Sequence, residues 1–120
     1  MTQPLHVLLV DDRPSSSDSL GLRLQRNGYR TSLAPSAAQA LVAAQSDPPD
    51  VTVLDVSTAE GIGFETCKAL KQLLPQVPVI IYAGAGSDRS AAAACGADET
   101  IEAPADRGLV MQRIVQLLSR

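Results

Sequence analysis

Two apolar runs of this chain end in acid: VLLVDD closes on Asp11 and Asp12, and VTVLD closes on Asp55. One aspartate after such a run is often a helix cap or a solvated loop residue. Three carboxylates delivered to one edge of a sheet are costly, because like charges at close range repel and raise one another's pKa. A bound divalent cation relieves that cost. An oxygen-only donor set suits Mg²⁺, which keeps several waters and accepts a few carboxylates. A carboxylate beside such a cation can act as a nucleophile toward a phosphoryl group, since the metal neutralises the developing charge.

A second stretch invites a different chemistry. YAGAG, from Tyr82 to Gly86, puts a glycine pair after an apolar run and before an Ala-rich helical segment, where many proteins cradle phosphate. It lacks the third glycine of a dinucleotide fingerprint, since Arg89 stands there, and the chain has neither a Walker lysine nor an acidic residue after the second strand. A small nucleotide- or flavin-binding enzyme is therefore disfavoured.

The elements that must position these residues alternate along the chain. Strands are expected at Leu5–Val10, Tyr29–Leu33, Val51–Asp55, Val77–Tyr82 and Glu99–Glu102. LHVLLV, VTVLD and VPVIIY are nearly continuous apolar runs, which suits parallel strands covered on both faces, while YRTSLA has the polarity of an edge strand. Helical stretches fall between them: Ser15 to Asn27, stopped at Asn27-Gly28, and Ser36 to Ser46, with a Ser cap and a stop at Asp47-Pro48-Pro49. Three more run from Gly63 to Leu74, from Ser87 to Cys95, and from Asp106 to the end. Five strand–helix units in series predict a doubly wound parallel sheet, and such sheets bind ligands outside the carboxyl ends of their strands. Asp11, Asp12 and Asp55 all fall at those ends.

Composition narrows the classes further. The 120 residues suit one domain with one core. A formal net charge of -3 with no basic cluster argues against nucleic acid or a membrane surface as direct partner, and the single Phe, two Tyr and absent Trp leave no stacking platform for bases. The apolar run at the N-terminus is too short for a signal peptide or a spanning helix, so the expected location is the cytoplasm. Cys67 and Cys95 lack metal-type spacing and read as reduced packing residues; His6 reads as a strand histidine, not a ligand.

VLLVDD, the spaced NGY…A…A…AL, PDVTVLDV, Gly63, VPVII and GAD…AP together resemble the receiver domain of bacterial two-component response regulators. The resemblance runs from Leu5 to Leu118, so residues 1–120 are read as a single receiver domain. It implies a flavodoxin-like (βα)5 fold with strand order 2-1-3-4-5, and phosphoryl transfer to an aspartate from a sensor histidine kinase or a phosphotransfer protein. Carried over by position, Asp55 is the phosphoacceptor; Asp12 and Asp55 ligate Mg²⁺ directly, Asp11 through water, and the Ser57 carbonyl completes the set. Such a domain is a phosphoacceptor, not an enzyme in its own right.

The chain departs from that family at several positions, two of them at the switch. Where receivers place a Ser or Thr at the end of strand four, this chain has Ala83, and where they place a Lys before the strand-five Pro, it has Ala103. Thr100 replaces the strand-five aromatic, and the loop after Asp55 reads Thr58-Ala59-Glu60-Gly61-Ile62-Gly63, without the usual Pro. The lysine contact is charge-assisted and worth about 1.5–3 kcal/mol, and the hydroxyl is what draws the strand-four loop toward the phosphoryl group. Without contacts that differ between the two states, phosphorylation has little to shift. Arg13 is a candidate auxiliary group, although a solvated loop arginine is its plainer reading; Ser87 more naturally caps the fourth helical stretch.

Two readings follow: an atypical receiver that keeps Mg²⁺ and aspartyl phosphorylation with a weakened switch, or a pseudo-receiver that serves only as a phosphorylation-independent interaction module. In the last helical stretch, Val110, Ile114 and Leu117 form one stripe, and Met111, Val115 and Leu118 widen it beyond the roughly 100° that one sheet contact needs. The surplus points to a second copy or an output domain on the face of the fourth and fifth helical stretches, or to a broad helix seated in an intramolecular groove.

Overall fold

The structure, a computed structural model, describes residues 5–11, 20–56, 64–83, 94–102 and 107–118. Its elements in chain order are β1 (His6–Val10), α1 (Leu20–Arg26), β2 (Arg30–Ala34), α2 (Ala37–Ser46), β3 (Val51–Val56), α3 (Phe64–Leu73), β4 (Val79–Ala83), β5 (Glu99–Glu102) and α4 (Arg107–Leu118). The label α4 thus denotes the last helical stretch of the sequence. The stretch expected from Ser87 lies outside the described residues except at Ala94 and Cys95, as does the start of the first, from Ser15.

All five strands are parallel, in the order β2-β1-β3-β4-β5. Both faces of the sheet are covered, as the unbroken apolar runs required. Leu8, Val10, Leu54, Val79 and Ile81 pack with Ala40 and Ala44 of α2 and with Cys67 and Leu70 of α3. On the opposite face Val7, Leu9, Val51, Val53, Ile80 and Tyr82 pack with Leu24 of α1 and with Val110 and Ile114 of α4. Strand β2 pairs on one side only, and its mixed burial fits its polar sequence.

The helix ends follow their local signals. In α1 the Gly28 N–H donates to Gln25 O at 3.1 Å and the Tyr29 N–H to Leu24 O at 3.0 Å, the paired bonds that close a helix through a left-handed residue. Gly28 supplies that conformation at φ 87°. Ser36 caps α2, its side-chain oxygen accepting the Gln39 N–H at 3.2 Å.

Polar groups tie the amino edge of the sheet. Asp98 Oδ2 accepts Lys71 Nζ at 3.0 Å and the Val79 N–H at 2.8 Å, and Lys71 also donates to Pro75 O at 3.2 Å and Val77 O at 3.1 Å. One lysine and one aspartate thus join the end of α3, the following turn and the start of β4. At the other end of that edge the His6 N–H donates to Asp50 Oδ2, and the Asp50 N–H returns to His6 O, each at 2.7 Å. His6 is buried, with Nε2 2.7 Å from Ser32 Oγ, a strand histidine as its context implied. Arg30 pairs with Asp47 on the surface and, chiefly by that hydrogen bond, holds the Asp47 carboxyl below the usual carboxylate range. Cys67 and Cys95 are buried and not joined in a disulfide. Burial above all, with the neighbouring Cys95 side chain, pushes the Cys67 thiol well up, which suits a packing residue; Cys67 Sγ also lies 3.5 Å from Cys95 O.

Two stability measurements test these devices. A Cβ on Gly28 meets nothing within 4 Å, so Gly28→Ala probes backbone conformation alone. It is expected to cost about 1 kcal/mol in urea denaturation. Asp98→Ala strands the Val79 N–H and takes the carboxylate from Lys71, which keeps the Pro75 and Val77 carbonyls, and is expected to cost about 2 kcal/mol, with an unchanged denaturant slope.

Candidate site at the carboxyl edge of the sheet

The opposite edge of the sheet carries the acidic residues. Asp11 directly follows β1; its N–H donates to Ala34 O at 3.0 Å, extending the β1–β2 ladder by one residue. Asp11 is 8% exposed, which is unusual for an aspartate and places its carboxylate inside the edge, not in bulk solvent. In the β1–β3 ladder Val10 lies opposite Leu54, so Asp11 and Asp55, one residue further on, end at one level of adjacent strands.

The ladder continues outward from Asp55. Asp55 lies opposite Tyr82, Val56 opposite Ala83, and Ala83 opposite Glu102. Strand position alternates between faces with a period of two. Val7, Leu9, Val51 and Val53 belong to the α1/α4 side, and so does Tyr82. Positions 11 and 55 continue that same face.

The backbones of Asp55 and Ala83 are therefore placed within strands, at neighbouring carboxyl ends, as their sequence context implied. Asp12, Arg13, Ser57, Ser87 and Ala103 lie outside the described residues, although Ala103 directly follows the last residue of β5. Among the described residues no cluster of three His, Cys, Asp or Glu side chains forms a rival cation site. None of the described helices is long and apolar enough to cross a membrane.

The broad apolar stripe of the C-terminal helix resolves mostly inward. Val110 and Ile114 are fully buried, and Leu109, Met111, Leu117 and Leu118 pack partly buried against the same cluster. Val115 stays 48% exposed, beside an open groove of about 450 Å³ lined by Asn27, Tyr29, Met111, Gln112, Val115 and Gln116. The intramolecular contact thus absorbs much of the surplus width.

The sequence profile of the response regulator receiver domain matches residues 7–115. The chain belongs to this family. Its five parallel strands in the order 2-1-3-4-5, with helices on both faces, are the flavodoxin-like receiver fold. Among curated relatives it is 32% identical over 120 residues to the probable transcriptional regulatory protein TcrX of Mycobacterium tuberculosis, covering 98% of this chain and 51% of that one. It is also 32% identical over 120 residues to the transcriptional regulatory protein GlrR of Escherichia coli, covering 98% of this chain and 27% of the relative. This receiver therefore spans about half the length, or less, of those two proteins. Among solved structures, a putative response regulator from Chloroflexus aurantiacus matches with TM-score 0.83 at 26% identity, over 98% of this chain and 99% of that one. A CheY-like receiver from Methanospirillum hungatei matches in fold, with TM-score 0.85 at 23% identity, over 97% of this chain and 94% of the other.

Two features of this receiver escape a reading of motifs. The Lys71–Asp98 tie joins residues far apart in sequence; Asp98 reads only as part of GAD, and nothing in the pattern pairs it with Lys71. Tyr82 reads only as the last residue of an apolar run, yet the register sets it beside Asp55. The available signal was its distance from the strand end, counted against that of Asp55.

Proposed function

We propose that this receiver accepts a phosphoryl group on Asp55 in a two-component phosphorelay and converts that event into a weak conformational signal. The observation that carries the reading is the β1–β3 register, with Val10 opposite Leu54, which ends a buried Asp11 level with Asp55. Two adjacent carboxylate positions at a sheet edge suit a hard cation with oxygen ligands. Asp12, Asp55 and the Ser57 carbonyl would hold Mg²⁺, with Asp11 acting through water. When bound, the ion neutralises charge on the phosphoryl oxygens.

In the transfer, an Asp55 carboxylate oxygen attacks phosphorus, and the bond from phosphorus to the donor breaks, its electron pair leaving with the donor. A kinase or phosphotransfer phosphohistidine leaves as imidazole; acetyl phosphate leaves as acetate. Asp11, as a buried carboxylate, would orient a water of the ion. The donor is a sensor histidine kinase or a phosphotransfer protein, and the setting is the cytoplasm.

The weak switch follows from side chains that are absent. Ala83 offers no hydroxyl and Ala103 no ammonium, so phosphorylated and free states differ by fewer contacts at the ends of β4 and β5. The same two residues favour a second reading, in which the domain serves as a phosphorylation-independent interaction module. In either case the partner surface, for a second copy or an output domain, involves the C-terminal helix, where Val115 remains exposed.

Incubation with Mg²⁺ and acetyl phosphate is expected to add one phosphoryl group by intact mass, absent in Asp55→Asn. Amide NMR shifts with a beryllofluoride mimic are expected to stay near the carboxyl edge and to spread into the C-terminal helix only in the Ala83→Thr/Ala103→Lys double variant. An unmodified wild-type protein would leave the interaction-module reading. Mg²⁺ is also expected to raise the melting temperature of the wild type more than that of Asp11→Asn, because only the state that binds the ion is stabilised. Equal gains would remove Asp11 from the site.

A further inference from the structure

We propose that the Tyr82 hydroxyl serves as a hydrogen-bond donor to the phosphoryl group on Asp55, so that this receiver is not without a donor on the β4 side. The inference rests on Asp55 being the phosphoacceptor. Three observations carry it. Tyr82 is the residue directly opposite Asp55 in the β3–β4 ladder, on a strand held at the usual spacing of about 4.8 Å. The two-residue alternation sets position 55 on the face where Tyr82 packs, with Ile101 of β5 and Val110 and Ile114 of the C-terminal helix. Tyr82 is 8% exposed, so its ring is held by packing and its position is prepared before any phosphoryl group arrives.

The chemistry fits that location. A buried tyrosine places its ring in apolar surroundings and seeks a polar group for its O–H, and Asp11 and Asp55 put two carboxylate positions at this edge. Of the β4 residues paired with β3 around Asp55, Ile81 and Ala83 carry no donor, whereas Tyr82 does. A phenol is a neutral donor, so burying it costs less than burying an unpaired ammonium. In the reaction Tyr82 keeps its proton: the Asp55 carboxylate forms the new bond to phosphorus, the donor's bond breaks, and the phenol O–H shares charge on a phosphoryl oxygen as that charge grows.

The test removes only the oxygen. Tyr82→Phe keeps the ring in the buried cluster that includes Ile101, Val110 and Ile114, so circular dichroism and melting temperature serve as controls for folding. With Mg²⁺ and acetyl phosphate, the rate of adduct formation followed by intact mass is expected to fall about tenfold in Tyr82→Phe, the loss of roughly one hydrogen bond to a charged acceptor. The chain has no Trp and two Tyr, so in a Tyr29→Phe background Tyr82 is the sole strong emitter. Its fluorescence is expected to change on addition of beryllofluoride with Mg²⁺, and not in the matching Asp55→Asn protein. A Tyr82→Phe protein labelled as fast as wild type, or Tyr82 emission indifferent to beryllofluoride in a protein that acetyl phosphate does label, would overturn this inference alone. A wild-type protein that acetyl phosphate leaves unlabelled would overturn the phosphoacceptor reading, and this inference with it.

Discussion

The register of β1 against β3 governs the acidic edge of this receiver. Val7 sits opposite Val51 and Val10 opposite Leu54, and nothing at the carboxyl edge would be arranged as it is if that pairing slipped. A slip by one residue would turn each apolar side chain to the wrong face and separate the levels of Asp11 and Asp55. The pairing is held because both faces are buried: Leu8 and Val10 serve the α2/α3 side, while Val7 and Leu9 serve the α1/α4 side. A strand polar on both faces could slide at less cost. Here every residue of β1 is buried, and every one opposes a slip.

That constraint also explains where polarity is allowed. The two edges of the sheet are the places where strands run out of apolar partners, and each edge handles charge differently. At the amino edge Asp98 and Asp50 have their acceptors taken up by backbone N–H groups, and Lys71 binds three oxygens. These charges are consumed by the fold. At the carboxyl edge Asp11 is buried beside the level of a second aspartate, an arrangement that packing alone does not favour. The amino edge thus spends its charge on holding strand ends together, while the carboxyl edge brings a buried aspartate level with a second one.

Parallel pairing has a further effect at β4. Because Asp55 faces Tyr82 and Val56 faces Ala83, the residue type at each β4 position decides which hydrogen bonds a group on Asp55 can receive. With a phosphoryl group on Asp55, as proposed, the alanine at 83 would offer no short-reach donor and the tyrosine at 82, anchored in the core, would offer a long-reach one. Loss at one position and gain at its neighbour leave the edge altered, not emptied.

Much of this was legible in the chain itself. The unbroken apolar runs ending in Asp11 and Asp55 called for buried parallel strands with acid at their ends, and Asn27-Gly28 and Ser36 marked helix boundaries that the backbone follows. These are local properties: period, capping and φ preference act over a few residues and need no distant partner. Strand spans shifted by a residue or two, with β4 starting at Val79, since strand ends depend on which neighbour pairs with them. The Lys71–Asp98 tie, the inward use of the C-terminal helix and the pairing of Tyr82 with Asp55 join residues distant in sequence. The sequence by itself determined which residues could be strand ends and which were acidic. Tertiary structure alone decided which ends are neighbours, because register is set by the summed burial of two faces and by no single residue.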